Sequence, residues 1–329
     1  MQIGIVYDVF ASYPWQTNDP TDADAEFEPE ATVEAIAAAL TSLGHIPIRI
    51  GTARELLRQL PHLKVDAAVN IAEDVHSRNR EAYAPILLEM AGVPFLGSDA
   101  LTLSLSLDKA WTKDLAIAAG VRTPAYAVYT AADVAALEAP PAPFPLFVKP
   151  RYEGSSKGIT PASKVETLDA LKIQVQRTCA QYKQDVLVEA FVSGGGEFTV
   201  AVVGNDPPEV LPALQRAVEK ETEIGLHALD RRGFENPELA YKLGGALDPE
   251  LEARLQHDAL AVYNKLECKD FARLDFRVDA AGKPWFLEIN PLPTFAPDGT
   301  FAILAELMGQ SYPTFLANVL ERGLKRLGM

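Results

Sequence analysis

Cysteine is scarce in this chain: two residues, Cys179 and Cys268, in 329. That pair supports neither a disulfide framework nor a cysteine metal motif, so buried free thiols are expected. Positive charge is short as well. Thirty Lys and Arg stand against 45 Asp and Glu, for a net charge of −15. This argues against nucleic acid as a partner and against an anionic membrane surface. No apolar run approaches the roughly 20 residues that a helix needs to span a bilayer. The opening Met1-Gln2-Ile3-Gly4-Ile5-Val6-Tyr7 is too short and lacks the cationic flank of a signal peptide. A reducing cytoplasm is therefore the expected compartment. The first strand is also not followed by G-x-G-x-x-G. Phe10-Ala11-Ser12-Tyr13-Pro14-Trp15 and an acidic stretch to residue 29 stand there instead, which disfavours a dinucleotide fold and, with it, a dehydrogenase.

What is present is an ordinary globular balance, 48% hydrophobic and 23% charged, in a chain long enough for two or three modest cores. Residues 2–7 read as a buried strand. Val33, Ile36, Ala37, Leu40 and Leu43 fall at helical spacing over 30–44, ending at Gly44. A strand at 46–50, a helix at 52–60, a strand at 65–71 and a helix at about 80–91 follow. Strands alternating with helices imply a parallel sheet with covered faces over residues 1–100. Next come a helix at 109–119, a strand at 125–129 and a Pro-rich loop, Glu138-Ala139-Pro140-Pro141-Ala142-Pro143. A strand at 144–150 ends in Lys149-Pro150, and a helix covers 166–180. Strands at 186–191 and 197–203 are joined by Gly194-Gly195-Gly196. Amphipathic helices at 249–266 and 312–326 enclose a terminal hairpin.

That hairpin is the most informative segment. Arg273-Leu274-Asp275-Phe276-Arg277 and Trp285-Phe286-Leu287-Glu288-Ile289-Asn290-Pro291 flank the turn-forming Asp279-Ala280-Ala281-Gly282. Residues two apart in a strand share a face. Pairing would therefore gather Asp275, Glu288 and the Asn290 amide beside Arg273. Such a set of hard oxygens suits Mg²⁺, with nucleotide phosphates filling the remaining positions. A surface hairpin would show the same alternation.

Three further segments bear chemistry. In Lys149-Pro150-Arg151-Tyr152-Glu153-Gly154-Ser155-Ser156-Lys157-Gly158-Ile159, a Gly/Ser turn can wrap N–H groups and hydroxyls around phosphate oxygens. Lys149 would add a point charge. In Val186-Leu187-Val188-Glu189-Ala190-Phe191-Val192, Phe191 and Val192 could line an adenine slot, with Glu189 and Glu197 reaching outward to amine or ribose hydroxyls. In Asp108-Lys109-Ala110-Trp111-Thr112-Lys113, Asp108 is a plausible N-cap. Lys109 and Lys113 then face either phosphate or solvent.

In order and character these segments resemble the ATP-grasp superfamily, and within it the D-alanine–D-alanine ligase-like group. The resemblance rests on Leu107-Asp108-Lys109, Phe147-Val148-Lys149-Pro150, Glu153-Gly154-Ser155-Ser156-Lys157-Gly158, Val188-Glu189-Ala190-Phe191 with Glu197-Phe198-Thr199-Val200, Phe271-Ala272-Arg273-Leu274-Asp275 and Leu287-Glu288-Ile289-Asn290. Gly92-Val93-Pro94-Phe95-Leu96-Gly97-Ser98 is similar to the family's exit from its first domain, and the likeness covers nearly the whole chain. It implies an α/β (α+β) three-domain ATP-grasp fold: a parallel-sheet domain over 1–100, a central lid domain over 101–185 and a carboxyl-terminal domain over 186–329. It further implies that Lys109 and Lys149 contact ATP phosphates, Glu189 and Glu197 the adenosine, and Ala190, Phe191 and Val192 the adenine. Asp275, Glu288 and Asn290 would hold Mg²⁺ or Mn²⁺. Arg273 would steady the transferring phosphoryl group, with Ser155 and Ser156 in the loop over the phosphates. The activity so implied is carboxylate–amine ligation through an acylphosphate, on small amino-acid or peptide substrates, in a protein that could pair as a homodimer through its first domain.

The chain departs from the family where amino acids would bind. After Asn290 stands Pro291-Leu292-Pro293-Thr294-Phe295-Ala296, with Thr294 in place of the oxyanion glycine. The family's Gly-Gly-x-Ser and Glu-x-x-Val-Ser signature is missing from the first domain; only Glu26, Glu28 and Glu30 lie nearby. Its Lys-Tyr loop is missing too, and Arg231 and Arg232 could instead pair with a substrate carboxylate. Asn70-Ile71-Ala72-Glu73-Asp74 and Arg78-Asn79-Arg80-Glu81 replace a His-Gly segment, making Arg80 either a substrate contact or a helix-surface residue. D-alanine–D-alanine synthesis for the cell wall and a catalytically inactive ATP-binding module are the alternatives. The module predicts decayed metal ligands, yet Lys149, Arg273, Asp275, Glu288 and Asn290 are all present.

Overall fold

The structure, a computed structural model, describes residues 1–219, 222–225, 241–243 and 247–329, of which 241–243 by backbone alone. Arg231 and Arg232 lie outside the described residues. The parallel sheet expected at the start is there. Strands β1 (Gln2–Tyr7), β2 (Ile46–Gly51), β3 (Ala67–Ile71) and β4 (Phe95–Leu96) run parallel in the order β2-β1-β3-β4. Helices α1 (Glu30–Ser42), α2 (Ala53–Gln59) and α3 (Tyr83–Ala91) cover it. Val33, Ile36 and Leu40 of α1 are wholly buried, as their spacing requires. Gly92 ends α3 in the left-handed conformation, φ 66°, which glycine adopts without strain. Helix α4 (Ala100–Leu107), capped by Asp99, leads into α5 (Lys109–Ala118), capped by Asp108.

A second sheet, ordered β5-β8-β6-β7, joins β5 (Tyr126–Tyr129), β6 (Leu146–Pro150), β7 (Lys164–Val165) and β8 (Val186–Ala190), with α6 (Leu168–Tyr182) packed against it. The third is antiparallel: β9 (Gly194–Val203), β10 (Glu209–Val210), β11 (Leu214–Glu219), β12 (Tyr241–Leu243), β13 (Phe271–Asp279) and β14 (Pro284–Asn290), with β13 between β9 and β14. Helix α7 (Pro249–Lys265) lies on one face, and α8 (Thr300–Leu307) and α9 (Tyr312–Arg326) follow the hairpin.

Two stretches pack across the boundaries drawn from the sequence. Strand β8 belongs to the second sheet, so that unit extends past residue 185. Ala116 and Val121 instead enter the core beneath the third sheet, and the Thr123 hydroxyl donates to the Phe286 carbonyl at 2.8 Å. Packing partners, rather than chain order, decide membership. Gly194, Gly195 and Gly196 also differ from expectation. They open β9 instead of linking two strands, because β9 runs so close to β13 that a Cβ on Gly195 would lie 2.5 Å from the Asp279 carbonyl oxygen.

The first and third sheets share one core. Ile3, Ile5, Val33 and Leu40 from one side meet Phe271, Phe295, Phe301, Phe315 and Leu320 from the other. Each such side chain contributes roughly 1.5–3 kcal/mol on burial. Helix α9 approaches β4 so closely that a Cβ on Gly323 would stand 2.8 Å from Leu96. Asp270, fully buried, pins this junction. It accepts from the Gly97 N–H at 2.8 Å, Asn205 at 2.7 Å, and both Nε and Nη2 of Arg326 at 2.8 and 2.6 Å.

Replacing Asp270 with Ala should lower unfolding free energy by about 3 kcal/mol, because a buried pair is broken and its donors are stranded. Urea denaturation should show a lower midpoint with an unchanged slope. Adding Arg326→Ala to that variant should cost much less than Arg326→Ala alone.

Candidate active site

The hairpin pairs as its alternation requires. Asp275 stands opposite Glu288 and Arg273 opposite Asn290. A register shift after Asp275 lets Leu287 join Glu288 on the cleft wall, the kind of re-aiming that a bulge permits. Asp275 is 4% exposed. Its Oδ2 lies 3.2 Å from Arg273 Nη2 and 3.4 Å from Arg216 Nη1, while its buried Oδ1 has no hydrogen-bond partner. Burial alone would raise the Asp275 pKa, but the two guanidinium groups outweigh it and hold the carboxyl below its ordinary value. Asn290 Oδ1 accepts one bond, from the Leu292 N–H at 2.9 Å. Among the described residues no group of three His, Cys, Asp or Glu side chains is arranged as a metal site. Two carboxylates and an amide form an open set instead, and the unpartnered Asp275 Oδ1 fits a divalent cation that keeps positions for phosphate oxygens.

Beside the hairpin opens a cleft of about 780 Å³, a volume that includes space open to solvent. One wall is apolar: Phe147, Ala190, Phe191, Val192 and Leu287. Arg277 and Lys164 place their cationic groups 4.4 and 4.5 Å from the Phe191 ring centroid. Lys149, from the end of β6, is 5% exposed and pairs with Glu189 Oε1 at 2.8 Å. Lys113, fully buried, takes the other oxygen at 2.6 Å. Two expectations change here. Glu189 lines the cleft, but it is 3% exposed and its carboxylate is taken up by two lysines rather than reaching outward. Lys113 is neither solvated nor on the cleft wall. Burial opposes charge on all three. The paired lysines nevertheless lower Glu189 to about 2, while desolvation brings Lys113 down to about 8. Glu197 does line the cleft, 3.5 Å from both Arg216 and Arg277.

The loop after β6 closes over this cleft. Ser155 and Ser156 adopt left-handed φ values of 46° and 58°, and Ser156 faces the cleft. The loop is tied to the acidic stretch of the first layer. Glu26 accepts from the Gly154 N–H and from Lys157 Nζ at 2.9 Å, and a Cβ on Gly154 would stand 2.9 Å from Glu26 Oε1. Asp22 accepts from the Gly158 N–H at 2.8 Å. Arg80 is no helix-surface residue. It is 3% exposed, pairs with Glu26 and donates to the Tyr152 carbonyl at 2.7 Å. Burial works against ionised Glu26, but Arg80 and Lys157 pull its pKa far down.

A smaller cavity, about 470 Å³ with its open mouth, adjoins the cleft. Lys109 and Glu288 line both and lie 3.6 Å apart. Ser155, Arg273 and Asn290 face the smaller cavity, as do Glu26, Glu73 and Glu81. Burial raises Glu73 and raises Glu81 to about 7; Glu81 and Glu26 add like charge at Glu73, while at Glu81 Arg80 offsets part of the rise and Glu26 adds to it. Thr294 lines neither cavity. Its hydroxyl donates to Glu28 at 2.8 Å and accepts from the Ala296 N–H at 3.1 Å, tying the post-hairpin loop to the first layer. Arg216, Arg277, Lys157, Glu73 and Glu81 were not among the expected site residues. Arg277, Lys157, Glu73 and Glu81 stand in segments already singled out, whereas β11, which carries Arg216, has no local signature.

A family profile described as "D-ala D-ala ligase C-terminus" matches residues 116–321. A D-alanine–D-alanine ligase of Ectopseudomonas mendocina is 30% identical over 295 residues, covering 89% of this chain and 89% of the relative. The uncharacterized protein y4sG of Sinorhizobium fredii is 30% identical over 306 residues, covering 89% and 87%. In structure the chain is similar to the D-alanine–D-alanine ligase of Bacillus anthracis solved with ATP, with TM-score 0.69, 20% identity and coverage of 99% and 97%. It is also similar to the VanG D-Ala:D-Ser ligase of Enterococcus faecalis, with TM-score 0.70, 20% identity and coverage of 98% and 99%. Taken with the hairpin carboxylates and the buried lysines, these matches identify the chain as a member of the D-alanine–D-alanine ligase family of ATP-grasp enzymes, ATP-dependent carboxylate–amine ligases.

Proposed function

We propose that the larger cleft binds ATP with its triphosphate toward Lys109 and Lys149, and that the smaller cavity presents the carboxylate of an amino acid or small peptide to the γ-phosphate. One observation carries this reading: Lys109 and Glu288 form a common wall of the two cavities. A phosphoryl donor and an acid held on either side would meet there. Adenine lies against Phe147, Phe191 and Val192, and Glu197 takes the ribose hydroxyls. Asp275, Glu288 and Asn290 hold Mg²⁺, or Mn²⁺ in its place. When bound, that ion neutralises charge on the phosphate oxygens.

A carboxylate is a poor acyl donor because oxide is a hopeless leaving group. Attack of its oxygen on the γ-phosphorus releases ADP and leaves an acylphosphate. The amine of the second substrate adds to the acyl carbon, loses its proton, and phosphate departs with the bonding pair. Lys149, fixed by Glu189, offsets charge that builds on the phosphoryl oxygens. Arg273 has a buried Nε–H without a partner, a donor suited to the transferring group or to the oxyanion that follows. Ser155 and Ser156, in the loop fastened by Glu26, exclude water that would hydrolyse the intermediate. Arg231 and Arg232 are the sequence-based choice for pairing with a substrate carboxylate. Two copies of the chain would pair through the first layer, where Ile86 and Met90 of α3 are exposed.

With purified protein, ATP, Mg²⁺ and a panel of D- and L-amino acids, ADP release should depend on the added amino acid. Asp275→Asn and Glu288→Gln should each cut that rate at least 100-fold, with far-UV circular dichroism unchanged. Full turnover in either variant refutes the metal assignment. Lys149→Met should weaken binding of an ATP analogue and slow turnover, and an unaltered affinity and rate would remove it from the phosphate site.

A further inference from the structure

The smaller cavity gathers more carboxylates than the single ammonium of a simple amino acid can meet. Four carboxylates face it: Glu26, Glu73, Glu81 and Glu288. Glu26 is already engaged by Arg80, Lys157 and the Gly154 N–H. Glu288 stands 3.6 and 3.9 Å from Lys109 and Lys149. Glu73 and Glu81 remain. They are 8% and 7% exposed, and among the described residues neither side chain has a hydrogen bond or ion pair. Their placement is built into the fold. Asp8 accepts from the backbone N–H groups of Glu73 and Asp74, both at 2.9 Å, fixing the turn after β3. The short turn Arg80–Ala82 directs Arg80 to Glu26 while Glu81 faces the cavity. Two buried carboxylates without partners are costly unless something cationic meets them. An amino acid with its carboxylate near Arg273 and Lys109 offers one ammonium, which answers one of the two.

We propose that this cavity selects a donor amino acid whose side chain carries a second positive charge, an ammonium or guanidinium, with Glu73 and Glu81 as counterions to its two cationic groups. The proposal rests on the ligase reading for which substrate occupies the cavity. It does not need turnover to be tested. Glu73 and Glu81 line this cavity together with Leu107, Ile289 and Pro291.

The test is calorimetric titration of the whole protein, held with Mg²⁺ and a non-hydrolysable ATP analogue, using both enantiomers of alanine, 2,3-diaminopropionate, ornithine, lysine and arginine. At least one basic amino acid should bind ten or more times tighter than alanine. Glu73→Gln and Glu81→Gln should shrink that preference to threefold or less. Both variants should fold: burial and like charge raise both pKa values, that of Glu81 to about 7, so stability conferred by protonation is lost as pH rises through the raised values. Each amide should therefore melt at or above the parent temperature at pH 8. The same preference in the amide variants, or no basic-over-alanine preference at all, including no measurable binding of either, overturns the proposal. ADP formation separates the two readings. Turnover with alanine but no basic preference leaves the ligase standing and removes this inference. Glu73-dependent binding of a basic amino acid without ADP release under any acceptor supports the inference and removes the ligase role.

Discussion

Two carboxylates face each other across an antiparallel ladder, and the site is arranged around them. Asp275 and Glu288 are held opposite by the register of β13 and β14, which the alternation of apolar and polar residues on both strands fixes. A slip of one residue would turn Asp275 into the core and bring a phenylalanine or leucine to the cleft. Negative charge concentrated in this way needs cations around it. Arg273 and Arg216 flank Asp275, and Lys109 and Lys149 approach Glu288. An acidic protein can still handle a triphosphate, because its few cations are gathered where phosphate would lie.

Buried charge also explains how the loop is held over the cleft. Glu26, Arg80 and the pair Glu153 and Lys157 come from three segments far apart in the chain; the Glu26–Lys157 bond spans 131 residues. Each member would be expensive to bury alone, and each has a partner. Glu189 follows the same rule. It holds Lys149 by one oxygen and Lys113 by the other, so the Lys149 ammonium is fixed at the cleft wall. Against this background Glu73 and Glu81 stand out, since they are buried and face a cavity without such partners.

Local pattern revealed a good part of this. Helical spacing marked α1, α7 and α9, and the run of strands and helices over 1–100 marked a parallel sheet. Alternation in two short strands was enough to place Asp275, Glu288, Asn290 and Arg273 together. Period-2 and period-3.6 patterns report which face a residue occupies, and that is all these conclusions required. Arg80 shows the limit. Its spacing fits an exposed position equally well, and only the approach of Glu26 and Tyr152 makes it a buried lock. Thr294 likewise occupies a family landmark in the sequence, while its hydroxyl is taken by Glu28.

By itself, then, the sequence determined the element types, the pairing of the hairpin carboxylates and the family, because each depends on residues close together or on motifs in a fixed order. Which cation answers which carboxylate was decided only in three dimensions. Partners such as Arg216 for Asp275, Lys113 for Glu189 and Arg80 for Glu26 lie on different elements, and no periodicity links them. Electrostatic pairing depends on distance through space, and that distance exists only once the three sheets have packed.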